Sequence, residues 1–265
     1  MPPIHVMRPL KYRAIWISDV HLGSKYAQAE FLLDFLRNTE CEYLYLVGDI
    51  VDLWAMRKSV NWPQSHNNVV RTILGKAKHG TKIVYIPGNH DCLLRDFEGQ
   101  RFGEVVIKNQ VIHTTADGKR MLVTHGDEFD NVIRCSGLMN LLGNLGYDML
   151  MWLNKIHNQV RSLCGRPYWS LASYLKHRVK NAREYIKRFE KVVANEAKAQ
   201  NLDGLICGHL HRAEITHIDG VLYCNDGDWV ESCTSLVEHH DGKLQLIHWA
   251  DEKQTIKDVC LAHAS

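Results

Sequence analysis

Apolar positions in the first half of the chain come in short unbroken runs, and each run stops at a polar residue. Residues 12–18 (YRAIWIS) end before Asp19, residues 44–47 before Gly48-Asp49, and residues 82–86 before Pro87-Gly88-Asn89-His90. Later, residues 121–124 end before His125 and residues 204–207 before Gly208-His209. Runs this short, rich in β-branched and aromatic residues and bounded by turn formers, predict buried strands. Between the first three runs, Phe31, Leu32, Phe35 and Leu36 recur at helical spacing, as do Val69, Val70, Ile73, Leu74 and Ala77. Strand–helix alternation predicts a largely parallel sheet whose sites form beyond the carboxyl ends of its strands. Residues 214–249 read as short strands joined by Asp-Gly turns at Asp219-Gly220 and Asp241-Gly242, a second and more antiparallel sheet. The expected fold class is α/β, a two-sheet α/β sandwich core.

From about residue 132 to 200 the pattern becomes almost wholly helical. Leu171, Leu175, Val179, Ala182, Ile186, Phe189 and Val193 advance by threes and fours, and Gly165-Arg166-Pro167 punctuates the segment. The expected organisation is a core of residues 1–131 and 201–265, with 132–200 a helical insertion, or lid, in the same domain.

Charge changes the picture of that insertion. Between Lys155 and Lys198 there are eleven Lys/Arg against three Glu, a local +8 in a chain whose formal net charge is +2. A basic segment of this kind meets an anionic partner or is simply a solvated helix face. Peripheral contact with a membrane surface follows as an expectation from the first reading. Composition adds little else: of 265 residues, 45% are hydrophobic and 23% charged, as in an ordinary globular protein. The eight cysteines are scattered without a CxxC pair, which predicts reduced thiols. Residues Arg8, Lys11 and Arg13 interrupt any signal-peptide core, and the protein is read as cytoplasmic.

The sixteen histidines direct attention to metal chemistry. Asp19-x-His21, Gly48-Asp49-x-x-Asp52, Gly88-Asn89-His90-Asp91, His125 and Gly208-His209-x-His211 follow one another in order, each at a predicted strand end. Two divalent ions roughly 3.5–4 Å apart need a shared anionic bridge with nitrogen and oxygen ligands on either side. Asp49 suits the bridge. Asp19 and His21 alternate along one extended segment, as do His209 and His211, so each pair could face one ion. Nitrogen and oxygen donors without cysteine fit Mn²⁺, Zn²⁺ or Fe and argue against a structural zinc site. Singly, a DxH triplet is usually accidental and a histidine after a strand usually structural; the ordered set of five outweighs that.

The set DxH, GDxxD, GNHD, H and GHxH resembles the calcineurin-like metallophosphoesterase superfamily over residues 19–211. The resemblance implies a first ion held by Asp19, His21, Asp49 and His211, and a second held by Asp49, Asn89, His125 and His209. It implies that His90 faces substrate and that Asp52 orients it. It implies two divalent ions, Mn²⁺ foremost with Zn²⁺, Fe or Mg²⁺ as alternatives, and in-line attack on phosphorus by a hydroxide between them, His90 donating to the leaving oxygen if protonated.

The stretches Val47-Gly48-Asp49-Ile50-Val51-Asp52-Leu53-Trp54, His125-Gly126-Asp127, Gly208-His209-Leu210-His211-Arg212 and Gly227-Asp228-Trp229 are similar to the UDP-2,3-diacylglucosamine pyrophosphohydrolase branch. That branch cleaves a nucleotide–lipid pyrophosphate to lipid X and UMP in lipid A synthesis, with a helical insertion over the acyl chains. The likeness implies an acyl pocket near Leu138, Leu141, Leu142, Leu145, Met149 and Trp152, and phosphate contacts from Arg161, Lys176, Arg178 or Lys180. An ordinary packed helical hairpin is the competing reading of the apolar set. One position departs: the branch typically carries arginine where this chain has His90. The alternatives are a soluble phosphodiesterase or phosphatase acting on a nucleotide or, less favoured, a nucleic acid, and a non-catalytic binding protein. Against the last, no ligand position is missing.

Overall fold

The computed structural model describes residues 9–130, 153–154, 156–158, 160–161, 163–164, 169–170 and 180–250, the side chains of 180–183 excepted. The chain opens with β1 (Leu10–Ile17), α1 (Ala29–Asn38), β2 (Thr39–Val47), α2 (Leu53–Lys58), α3 (Gln64–Lys78) and β3 (Lys82–Ile86). Short strands follow: β4 (Arg101–Phe102), β5 (Val105–Ile107), β6 (Val111–Thr114) and β7 (Arg120–Val123). The second half holds α4 (Lys180–Ala199), β8 (Gly204–Cys207), β9 (Glu214–Ile218), β10 (Val221–Asn225), β11 (Thr234–Glu238) and β12 (Leu244–His248).

Two mixed sheets result. One has the order β12-β11-β1-β2-β3-β5-β4, the other β6-β7-β8-β10-β9. In the first, β1, β2, β3 and β5 run parallel, with β11 antiparallel to β1. In the second, β7, β8 and β10 run parallel between antiparallel edges.

Alternation along β1 shows why its run is apolar throughout. Ile15 and Ile17 point to the helix side, among Leu32, Phe35, Leu36, Val69 and Ile73 of α1 and α3. Ala14 and Trp16 point the other way, into a layer shared with Tyr45, Met121, Val123, Ile206 and Leu236 between the sheets. A strand buried on both faces has no solvent side to mark with polar residues. On the far side of the second sheet, α4 buries Phe189, Val193, Ala194 and Ala197 against Leu122, Leu205 and Tyr223. The layers are therefore helices, sheet, sheet and helix, and each fully buried large side chain contributes roughly 1.5–3 kcal/mol.

The α/β sandwich matches the expectation from sequence, but the strands are divided differently. Residues 214–249 do not form one antiparallel sheet: β9 and β10 belong to the second sheet, while β11 and β12 complete the first. The crossing is made by the turn around Gly227, where a side chain would run into Thr234. Strands β7 and β8 lie in the second sheet, away from β1–β3. Among the described residues no helix is long and apolar enough to cross a membrane. The expected acyl-pocket residues 138, 141, 142, 145, 149 and 152 lie outside the described residues, as do Lys176 and Arg178.

Candidate metal centre

The residues after β1, β2, β3, β7 and β8 meet where the two sheets face each other. The β1–β2 ladder continues past its strands: Asp19, Val20, His21 and Leu22 donate backbone N–H bonds to Gly48, Asp49 and Ile50 at 2.9–3.0 Å. The loop after β1 is thus stitched to the loop after β2. Asp19, His21, Asp49, His209 and His211 all adopt left-handed backbone, with φ between 49° and 68°. Non-glycine residues avoid that region, so five of them here store local strain that the surrounding bonds must hold. Two glycines make the room. A side chain at Gly48, itself at φ 82°, would overlap the His125 ring, and one at Gly208 would overlap Ser18 and Asp19.

Each carboxylate divides its oxygens between two tasks. Asp19 Oδ2 accepts from Ser18 Oγ at 2.6 Å and from the His209 backbone at 2.8 Å. Its Oδ1 lies 3.1 Å from His211 Nε2 and 3.9 Å from His21 Nε2. Asp49 Oδ1 accepts from the His90 backbone at 2.8 Å. Its Oδ2 lies 3.6 Å from His125 Nε2, 3.8 Å from His21 Nε2 and 3.9 Å from His90 Nε2. One oxygen fixes the loop and the other faces the centre.

The imidazoles show the same division. His125 Nδ1 is bonded to the Val47 carbonyl at 2.8 Å, and His21 Nδ1 and His90 Nδ1 reach Asp52 at 3.2 and 2.8 Å. A ring nitrogen anchored to an oxygen leaves its partner nitrogen directed away, the arrangement that orients histidine toward a metal. Asp52 also caps α2 through the Ala55 amide at 2.8 Å, so one carboxylate ties that helix to two imidazoles.

Four polar atoms of the motif residues are buried with no hydrogen-bond partner: Asp19 Oδ1, His21 Nε2, Asn89 Oδ1 and His125 Nε2. A buried polar atom without a partner costs roughly 1–3 kcal/mol, and several together need a common explanation. Donors from Asp19, His21 and His211, from His21, Asp49 and His90, and from Asp19, Asp49 and His125 lie within 4.8 Å of one another in each group. Because Asp19, His21 and Asp49 recur, the three groups form one continuous cluster. Nitrogen and carboxylate oxygen donors, shared across two adjacent positions, fit a pair of divalent cations.

The electrostatics agree. Burial pushes the Asp19 carboxyl upward, but the imidazoles of His211, His125 and His21 overcome it and hold the group well below the carboxylate range. Asp49 is likewise raised by burial and lowered further by His125 and His21. Burial depresses His211, yet Asp19 and Glu231 bring its imidazolium up to about 10. His125, fully buried, is raised by Asp49 in the same way. The pocket is a concentrated anionic field that draws positive charge.

The pattern of motifs and this geometry coincide with a family profile: residues 12–213 match calcineurin-like phosphoesterase. The chain belongs to that family. Its phosphoesterase relatives include UDP-2,3-diacylglucosamine hydrolase of Neisseria gonorrhoeae, 27% identical over 246 residues, covering 87% of this chain and 94% of the relative. The enzyme of the same name from Neisseria meningitidis serogroup A is 25% identical, covering 84% and 92%. That of Vibrio atlanticus is 23% identical, covering 85% and 93%.

Of the residues singled out from sequence, the structure brings Asp19, His21, Asp49, His90, His125 and His211 into the cluster, and leaves Asn89 Oδ1 buried without a partner. His209 stands beside them, its ring 5.2 Å from that of His125, but its Nε2 faces Asp130 at 3.0 Å. Among these rings the His90 side chain is the most exposed, at 26%. Arg161 lies over the Trp169 ring, and the Lys180 side chain is outside the described residues.

Sequence reasoning missed the residues behind the cluster. Asp91 gathers the amides of Gly88, Asp49, Ile50 and Val51 and the Tyr85 hydroxyl. Asp226 accepts from Ser18 at 2.6 Å, and Trp54 lays its indole 4.4 Å from the His90 ring. Asp91 had a signal, being the last letter of GNHD, and Trp54 closed the similar stretch that begins at Val47; Asp226, one residue before Gly227-Asp228-Trp229, had none.

Proposed function

We propose that the chain is a dinuclear-metal phosphoesterase that hydrolyses a phosphate ester or pyrophosphate. The observation that carries this reading is the set of unpartnered buried donors around Asp19 and Asp49. Asp19, His21, Asp49 and His211 hold the first ion; Asp49, Asn89, His125 and His209 hold the second. Divalent ions there supply Lewis acidity to the phosphoryl group and an activated water. The chain's own residues do the rest. Asp49 sits between both sets and fixes the His90 loop through its other oxygen. Asp52 bonds His90 Nδ1, which leaves Nε2, 3.9 Å from Asp49 Oδ2, to meet phosphoryl oxygen and protonate the leaving group. Burial lowers the His90 pKa, but Asp52 and Asp49 raise it above the ordinary value in the metal-free chain.

For the substrate, UDP-2,3-diacylglucosamine is the first candidate, because it is named for relatives that align over most of the chain. The basic stretch from Lys155 to Lys198, eleven Lys/Arg against three Glu, suits a nucleotide–lipid at the cytoplasmic membrane surface. Mn²⁺ is the metal to try first. The test is hydrolysis of bis(p-nitrophenyl) phosphate and of UDP-2,3-diacylglucosamine with added Mn²⁺, beside the Asp49→Ala variant. Turnover of both, absent in the variant, supports enzyme and substrate together. Turnover of the diester alone keeps the phosphoesterase and removes the lipid. Silence on both contradicts the reading.

A further inference from the structure

His209 is the one proposed ligand with a ring nitrogen held by a carboxylate that also bonds α4. Its Nε2 lies 3.0 Å from each carboxylate oxygen of Asp130, the residue that caps the C-terminal end of the Asp127–Phe129 helical turn. Asp130 Oδ1 also accepts from the Tyr185 hydroxyl at 2.5 Å, and Tyr185 belongs to α4. The His209 backbone is held separately, by Asp19 Oδ2 at 2.8 Å in left-handed conformation. Phe189, also on α4 and fully buried, places its ring 6.0 Å from the imidazole. Backbone, ring face and one ring nitrogen are therefore all fixed, and only Nδ1 remains to address an ion.

The structure assigns Asp130, we propose, as the positioning residue for His209, with Tyr185 tying that pair to α4 so that the helix sets the geometry of the second ion. This rests on the dinuclear reading above. His125 is anchored by the Val47 carbonyl, and His21 and His90 by Asp52, which caps α2, while His211 Nδ1 faces Glu231 Oε1 at 3.5 Å. His209 is anchored through a carboxylate that is 44% exposed and also bonded to Tyr185, which couples this ligand directly to α4. An exposed ion pair of this kind contributes little to stability, whereas a carboxylate orienting a metal-bound imidazole changes metal affinity about 10- to 100-fold. The two roles separate experimentally.

The experiment is a calorimetric Mn²⁺ titration of the metal-stripped full chain as wild type, Asp130→Asn and Tyr185→Phe, with thermal melts of the stripped proteins alongside. The expected result is two ions per chain for wild type. In Asp130→Asn one ion binds as before and the other about 10- to 100-fold more weakly, with an unchanged melt. Tyr185→Phe, which loses a hydroxyl only, weakens that same ion about 2- to 10-fold. Should Asp130→Asn fail to fold, the Tyr185→Phe titration decides. Wild-type affinity for both ions in a folded variant overturns the assignment, as does equal weakening of both ions. Wild-type protein that takes up no Mn²⁺ overturns the dinuclear reading instead.

Discussion

Two buried polar clusters lie at different depths between the sheets, made of the same residue types. In the first, Glu238 accepts from Arg13 at 2.7 and 2.9 Å, from His113 at 2.8 Å and from the Ala116 amide at 2.7 Å. His113 turns its other nitrogen to the Tyr45 hydroxyl at 2.9 Å. Both carboxylate oxygens, both imidazole nitrogens and the phenol are occupied. In the second, around Asp49, the Asp19 Oδ1, His21 Nε2, Asn89 Oδ1 and His125 Nε2 atoms have no hydrogen-bond partner. The first cluster has answered the cost of burial from within the chain; the second is incomplete without cations. Composition does not separate a structural polar core from a metal site. Satisfaction of the hydrogen-bonding groups does.

That contrast makes several outcomes testable. The largest concerns Asp49→Ala, which removes the bridge from both proposed ion positions. Hydrolysis should fall on the order of 10³-fold, the loss of several kcal/mol of transition-state stabilisation, while urea unfolding of the stripped protein changes little. Glu238→Ala should do the reverse. Leaving Arg13 and His113 without their carboxylate costs about 3–5 kcal/mol in urea unfolding, yet the folded variant should still bind metal.

A smaller effect appears in acid. Burial raises the Glu238 carboxyl, but His113, the Ala116 amide and Arg13 lower it more, to below its ordinary 4.5. A depressed native pKa contributes stability that is present above 4.5 and is lost as pH falls through the native value. Glu238→Gln should therefore flatten the acid limb of the stability curve, by up to about 1.4 kcal/mol per pH unit. The smallest effect is at Trp54, half exposed against the His90 ring. Trp54→Ala should lower kcat about 2- to 10-fold, the worth of one aromatic contact, with Trp54→Phe recovering most of it. A change in stability with unaltered kcat would make Trp54 a packing residue only.

How much of this could be read from residues alone depended on distance along the chain. β3 and β8 were legible to the residue, because apolar runs stop at Gly-Asn-His and Gly-His. β4, two exposed residues, and α2, six residues behind a capping Asp52, carry no periodic signal. The sheet assignment of β11 was equally hidden, since it depends on pairing with β1 more than two hundred positions away. At the site, the motif residues announced themselves by spacing. Asp226, Asp130 and Asp91 act through contacts with Ser18, His209 and the Asp49–Val51 amides, and single carboxylates in loops look alike until those contacts exist.

The central claim is that the Asp49 cluster is completed by two cations and the Glu238 cluster by none. The most direct test is the number of Mn²⁺ ions bound per chain at equilibrium, in wild type, Asp49→Ala and Glu238→Gln. The account predicts two, none held tightly, and two. A wild type that binds no ion, or an Asp49→Ala variant that still binds both, would contradict it.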